Sequence, residues 1–372
     1  MQEWLRFFRK EHLGIYSLKK DSIASENMPE WKLLTIDTLE FKKYLDTKKE
    51  IDLEGFWKSG GNFYIKKIAD YFIGFDAEFP HKPIMKIVMT NDSSYATIIY
   101  ENLISKYFKV EFANENLVLF DKKPALVRLY PLLNENYANF LNSKPYFEKL
   151  NTKTCYLRIP SFDFDLIQMI DSVIFTNQKT ITKTKNMMID LRYNSGGSDG
   201  CWWGLMPFIY TNPYRTKNCY YKSTELNNQY YKKFSGDNFF AILNNNLENF
   251  VKNGNDYLVN SLDKIYKYPQ NVAIIVNKYC ASSVEAFLLV AKQSKKVKIF
   301  GTVTAGSLDF ANVNSVVSPC DEFVLYYATS KDVDLENFPI DNIGIQPDFY
   351  LDKEIPEYEW VEYITKILNN DF

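Results

Sequence analysis

The chain predicts an α/β fold, a mostly parallel sheet crossed by helices, behind a smaller β-rich N-terminal region, and three observations predict it. Val272 to Val276 is an unbroken β-branched, apolar run, as in a strand buried on both faces of a parallel sheet. From Val284 the apolar spacing changes to a helical one (Val284, Phe287, Leu288, Ala291), and Val297 to Phe300 reads as the next strand. This alternation of strand and helix begins near residue 150, whereas the stretch before residue 135 holds only short strand-like runs.

Taken in order, residues 1–50 read as a helical N-terminal arm, with helical fragments at Trp4, Phe7 and Phe8 and at Leu39, Phe41 and Tyr44. Residues 51–135 read as a small β-rich domain. Its runs (Phe63 to Ile65, Tyr71 to Phe75, Ile84 to Val88, Ala96 to Tyr100, Tyr107 to Phe112, Leu117 to Phe120, Ala125 to Leu129) are separated by Gly, Pro and Asn-Asp breaks, which suggests an antiparallel sandwich or barrel. Tyr137 to Leu150 reads as a linking helix. Residues 150–372 form the α/β region: strand Tyr156 to Ile159, helix Asp165 to Asn177, strand Met187 to Leu191 and a helix from Trp202 to Tyr210. An Asn-, Tyr- and Lys-rich insertion at about 210–262 follows, with a helix at Phe239 to Val251, and its length suggests a lid or cap. After the Val272 strand and the helix that follows, with Lys292, Lys295 and Lys296 placed at its C-terminal end, come a strand at Phe323 to Tyr327, a turn from Ile340 to Asp348 and a closing helix near Glu357 to Leu368.

The totals narrow the function classes. With 372 residues, 46% hydrophobic and 24% charged, the chain has the composition of a soluble globular protein with room for two domains. A net charge of -2 provides no bulk attraction to nucleic acid or to an anionic membrane. No run reaches the roughly 18 apolar residues that cross a bilayer. The start, M-Q-E-W-L-R-F-F-R-K, lacks the apolar core of a signal peptide; a periplasmic or secreted location is expected if a leader was removed before Met1. Five dispersed cysteines without C-x-x-C spacing, and only His12 and His81 as histidines, speak against a zinc site or a disulfide framework, and no metal or organic cofactor is expected.

Ligands of open α/β sheets bind beyond the carboxyl ends of the strands. Two loops leave such ends here. One, Arg192 to Gly200, holds Gly196-Gly197, where the backbone N-H groups can approach a ligand closely. The other, Lys278 to Ser283, opens a helix at Ser282 and Ser283, beside N-H groups that have no partner within the helix. Ser282 with Glu285 also fits S-x-x-E, a capping box, so the residues alone leave open a helix cap or a nucleophile facing an oxyanion site.

The string I-D-L-R-Y-N-S-G-G (Ile189 to Gly197) resembles the D-L-R-x-N-x-G-G signature of the C-terminal processing, or tail-specific, serine peptidases, relatives of the tricorn core peptidase and of interphotoreceptor retinoid-binding protein. C-A-S-S-V-E-A (Cys280 to Ala286) resembles their T-A-S-x-x-E-A, G-T-V-T-A-G (Gly301 to Gly306) their G-x-x-T-x-G, and G-I-Q-P-D (Gly344 to Asp348) their G-I-x-P-D. C-Y-L-R-I-P-S-F (Cys155 to Phe162) is similar to the strand that opens their catalytic domain, so the ordered motifs cover about residues 150 to 350. The resemblance implies a ClpP/crotonase-like catalytic core and hydrolysis of peptide bonds in a peptide or unfolded protein. It implies Ser282 as the nucleophile, backbone N-H groups of Gly196, Gly197 and Ser283 as the oxyanion hole, and Asp190, Arg192 and Glu285 as supports of the loops.

The pattern departs at the general base. Where the bacterial processing enzymes carry a lysine this chain has Ser307, and the histidine of the tricorn-like branch has no counterpart in residues 150–372. A serine without a base is a poor nucleophile at neutral pH. Asp309 is the leading substitute, with Lys278 and His81 behind it. The alternative is an inactive homologue that binds a peptide or apolar ligand in the same groove.

Overall fold

Val272, Ile274 and Val276 point to one side of their strand and Ala273 and Ile275 to the other, and both sets are buried. That two-sided burial is why the run is uninterrupted in sequence, and each fully buried aliphatic side chain contributes about 1.5–3 kcal/mol. In the computed structural model the described residues are 12–17, 34–59, 61–78, 83–89, 95–101, 104–131, 135–233, 236–321 and 323–369. They fall into two units, one of Met1–Leu18 with Lys144–Phe372 and one of Lys19–Ser143.

In the first unit, six strands run in the order Tyr146–Lys149, Thr154–Arg158, Asn186–Asp190, Asn271–Val276, Val297–Gly301 and Phe349–Tyr350. All neighbours are parallel except the first pair, and Ile274 sits in register between Ile189 and Ile299. One face is covered by Ile170 and Ile174 of the helix Ile167–Ile181 and by Phe287 and Leu288 of the helix Ser283–Ala291. The other face is covered by Trp360 and Ile364 of the C-terminal helix Trp360–Asn369. The fold is the α/β class expected, with the carboxyl ends of the central strands at one edge.

A second sheet is built around Phe323–Asp332, twice the length expected for that strand. Phe310–Val317 pairs along one side of it, while Gly14–Ser17 and Cys219–Lys222 share the other, and Phe250–Lys252 extends it beyond Cys219–Lys222.

Several expectations are corrected. Within the arm at residues 1–50, Gly14–Ser17 is a strand and only Thr38–Thr47 is described as a helix; the Trp4 fragment lies outside the described residues. A four-residue strand whose partner is Phe323–Tyr326 carries no local periodicity. The linking helix is instead a short 3-10 turn, Glu135–Leu141, followed after Pro145 by the antiparallel edge strand Tyr146–Lys149, since proline removes a donor and blocks helix continuation. The insertion at 210–262 is woven into the second sheet (Tyr220 opposite Lys331), with a ribbon of Tyr214–Lys217 against Tyr257–Asn260 and a helix that ends at Asn244. The Trp202 segment splits into two four-residue helices, and the Ser283 helix stops at Ala291, short of Lys295 and Lys296.

In the second unit eight antiparallel strands, from Gly55–Lys58 to Lys123–Tyr130, close into a barrel through pairing of the first with the last, which leaves no free edge. Its interior is packed by Trp57, Ile65, Ile87 and Leu126. The buried Arg128 lies 4.2 Å over the Trp57 ring and donates at 2.7 Å to the carbonyls of Glu54 and Glu115.

Candidate active site

The Asn271–Val276 strand ends at Asn277, and the chain turns through Cys280 and Ala281 into the helix at Ser283. Ser282, at the corner, has φ 55° and ψ -119°. L-residues with side chains avoid this region, at a cost of order 1–3 kcal/mol, and such strain survives only where the surroundings enforce it.

Glu285 supplies much of that enforcement. Its carboxylate is buried and accepts four bonds, from Ser282 N-H (3.0 Å) and Ser307 N-H (2.8 Å) on Oε2 and from Thr304 Oγ (2.5 Å) and Gly306 N-H (2.8 Å) on Oε1. Burial pushes its carboxyl up, against the opposing pull of those donors. The carboxylate therefore serves the helix cap and also fastens the Gly301 to Gly306 turn to the corner.

The glycine loop meets the same corner. Gly196 has φ 92°, and a Cβ placed on it would lie 2.6 Å from the Ala281 carbonyl, 2.8 Å from Ser282 Cβ and 3.0 Å from Ser283 N. Only glycine allows that approach. Gly197, at φ 139°, packs equally closely on the Phe162 carbonyl. The two strand-end loops thus converge.

Two buried asparagines hold them together. Asn194 Oδ1 accepts from Phe162 N-H (3.2 Å) and Gly196 N-H (3.0 Å), and its carbonyl accepts from Ala281 N-H (3.3 Å). Asn277 Oδ1 accepts from Tyr193 N-H (3.1 Å) and Tyr279 N-H (3.2 Å). Neither was singled out from sequence; Asn194 is the N of D-L-R-x-N-x-G-G and could have been found there. The bond to Asn194 engages the Gly196 N-H, which corrects the expectation that this amide faces an oxyanion. Ser283 Oγ donates to Asp199 Oδ1 at 2.5 Å, a second tie between the loops.

Below the loop, Asp190 is fully buried and accepts from Tyr156 OH (2.8 Å), Arg192 Nη2 (2.6 Å) and the Arg192 N-H (3.0 Å). Burial alone would raise its carboxyl, but the guanidiniums of Arg192 and Arg158 outweigh that and hold it well below the usual carboxylate range. Arg192 also donates to the Glu357 carbonyl and so ties the loop to the C-terminal segment.

Ser282, Ser283, Gly196 and Gly197 all line one cavity of about 1420 Å³. Its other wall comes from the insertion (Tyr214, Lys217, Tyr257) and from the start of the Phe310–Val317 strand. Asp309 lines it too. Its Oδ2 accepts from the N-H groups of Ile340 and Asp341, at 2.8 Å each, which is a turn-stabilising role, while its buried Oδ1 has no hydrogen-bond partner among the described residues. Ser307 is buried with its N-H on Glu285, and Lys278 is exposed, stacked over Tyr279 and absent from the cavity wall. His81 lies outside the described residues. His12, the histidine that sequence reasoning passed over, is on the cavity wall.

A model of peptidase family S41 matches residues 153–351. No curated protein matches. Among solved structures, a lipoprotein from Streptococcus agalactiae is 20% identical with a TM-score of 0.38, over 64% of this chain and 73% of that one. A photosystem II D1 C-terminal processing protease is 12% identical with a TM-score of 0.43, over 99% and 84%. Mature CPAF is 13% identical with a TM-score of 0.44, over 83% and 82%.

Proposed function

The chain belongs to peptidase family S41, whose model spans residues 153–351, and from that membership we propose a serine endopeptidase in which Ser282 is the nucleophile. The substrate is an extended peptide or unfolded protein segment lying in the cavity between the glycine loop and the insertion. Ser282 Oγ attacks the scissile carbonyl carbon, and the oxyanion that forms is held by the N-H groups of Gly197 and Ser283. Collapse expels the amine and leaves an acyl-enzyme, which water then hydrolyses. Each oxyanion donor of this kind is worth about 10²–10³ in rate.

The observation that carries this reading is the Ser282 corner. A simple helix cap has no need of φ 55°, ψ -119°, nor of a glycine packed against the serine Cβ. Glu285, Asp190 and Arg192 act through the loops they fasten and do not touch substrate. With Ser307 at the position of the family lysine, the proton acceptor has to come from another segment on the cavity wall.

A fluorophosphonate probe, with the labelled peptide identified by mass, tests the reading. Labelling should fall on Ser282 and vanish in Ser282→Ala, together with cleavage of an unfolded protein such as reduced casein. A folded protein that takes no label and cleaves nothing, yet retains peptide whether or not Ser282 is present, would instead be the non-catalytic binder that the missing lysine allows.

A further inference from the structure

The geometry points to His12 as the general base for Ser282. The assignment rests on Ser282 being the nucleophile and adds the group on which that reading depends.

Four observations carry it. First, His12 and Ser282 line the same cavity, although 270 positions separate them in sequence (282 less 12). Pairing of Gly14–Ser17 with Phe323–Tyr326 brings the histidine there. Second, Nδ1 of His12 is hydrogen-bonded to the carbonyl of Phe310. A carbonyl only accepts, so Nδ1 carries the proton and the neutral ring presents Nε2 as a lone-pair acceptor, which is the tautomer that a base needs. Third, the histidine is tied to the serine by a short path. Ser307 N-H shares Glu285 Oε2 with Ser282 N-H, and Phe310 lies three positions after Ser307, a stretch of at most about 11 Å of extended chain. Fourth, Asp309, next to the carbonyl that holds His12, lines the same cavity, and its buried Oδ1 has no hydrogen-bond partner among the described residues, an acceptor suited to a transient imidazolium.

The other charged groups around the cavity are Asp163, Asp199, Arg215, Lys217 and Asp332. Asp199 is committed to Ser283, and Lys217 to Asp332 at 3.2 Å. In the reaction, Nε2 takes the Ser282 proton as Oγ bonds to the carbonyl carbon and the C=O π pair moves to oxygen. The same proton passes to the leaving nitrogen as the C-N bond breaks. A water then repeats both steps on the acyl-enzyme, which restores neutral His12 and free Ser282. Asp309 is a positioning and electrostatic residue here, in place of the base role expected from sequence.

The test uses the full chain and the fluorophosphonate labelling rate. His12→Gln keeps an N-H for the Phe310 carbonyl but cannot accept the proton, whereas His12→Ala opens room for free imidazole. Both variants should label at least about 100-fold more slowly, within the range that a positioned base contributes, with unchanged thermal unfolding, and imidazole should restore part of the His12→Ala rate. A His12→Gln rate within about threefold of the parent would make the histidine a clamp only and overturn the assignment. Loss in His12→Ala without any recovery in imidazole would overturn it as well. Undiminished labelling of Ser282→Ala would sink the nucleophile reading itself, whatever the histidine variants do.

Discussion

At the scale of single residues, the corner at Ser282 is held by contacts whose removal has separable effects. Gly196→Ala puts a methyl group into the Ser282 turn at a positive φ, so we expect a loss of about 1–3 kcal/mol of stability and a drop of about 10²-fold or more in turnover, read by urea titration and by probe labelling. Glu285→Ala strips partners from three backbone N-H groups and the Thr304 hydroxyl, an expected cost of about 3–5 kcal/mol. Asp190 gives a pH test. Its folded carboxyl is depressed below the unfolded value of about 3.9, so its contribution is complete above that pH and is lost as the pH falls toward the folded value. Urea midpoints measured from pH 6 downward should therefore decline in acid, and Asp190→Asn, weaker throughout, should decline less. Motif spacing marks Ser282, Gly196 and Glu285 in the sequence, and these three meet at one corner of the structure. His12 and Asn277 carry no such mark, because what each does is set by groups brought from elsewhere in the chain.

At the scale of elements, the legible strands are those buried on both faces. Residues 155–157, 187–189 and 272–276 write that burial as continuous apolar runs, while Val297–Gly301 departs from it only at the exposed Lys298. The strand Phe310–Val317 was not anticipated. Its residues are half-buried or exposed, and Asn312 interrupts the pairing with φ 55° between Ala311 and Val313. The register is the same on both sides of Asn312, but its left-handed backbone and the polar residues around it blur the alternation on which strand reading depends. Gly14–Ser17 is too short to show a pattern at all. Its importance can be tested: Tyr16→Pro places a residue with a fixed φ and no N-H opposite Val324, and activity should fall far more than the melting temperature does.

At the scale of the whole molecule, each unit has its own core, around Ile274 in one and Trp57 in the other. Heat unfolding should depart from a single two-state transition, with a calorimetric enthalpy larger than the van't Hoff value. Glu285→Ala should lower only the transition of the unit that contains it; coincident loss of both units would contradict that independence. The pairing of Gly14–Ser17 with Phe323–Tyr326 also sets an order in time. A ribosome makes His12 first, then Ser282, and only afterwards the strand that pairs with Gly14–Ser17. On the assignment of His12 as the base, Ser282 gains its proton acceptor only once Phe323–Tyr326 has been made and has paired with Gly14–Ser17, so the closing of this ladder is the step that switches the serine on.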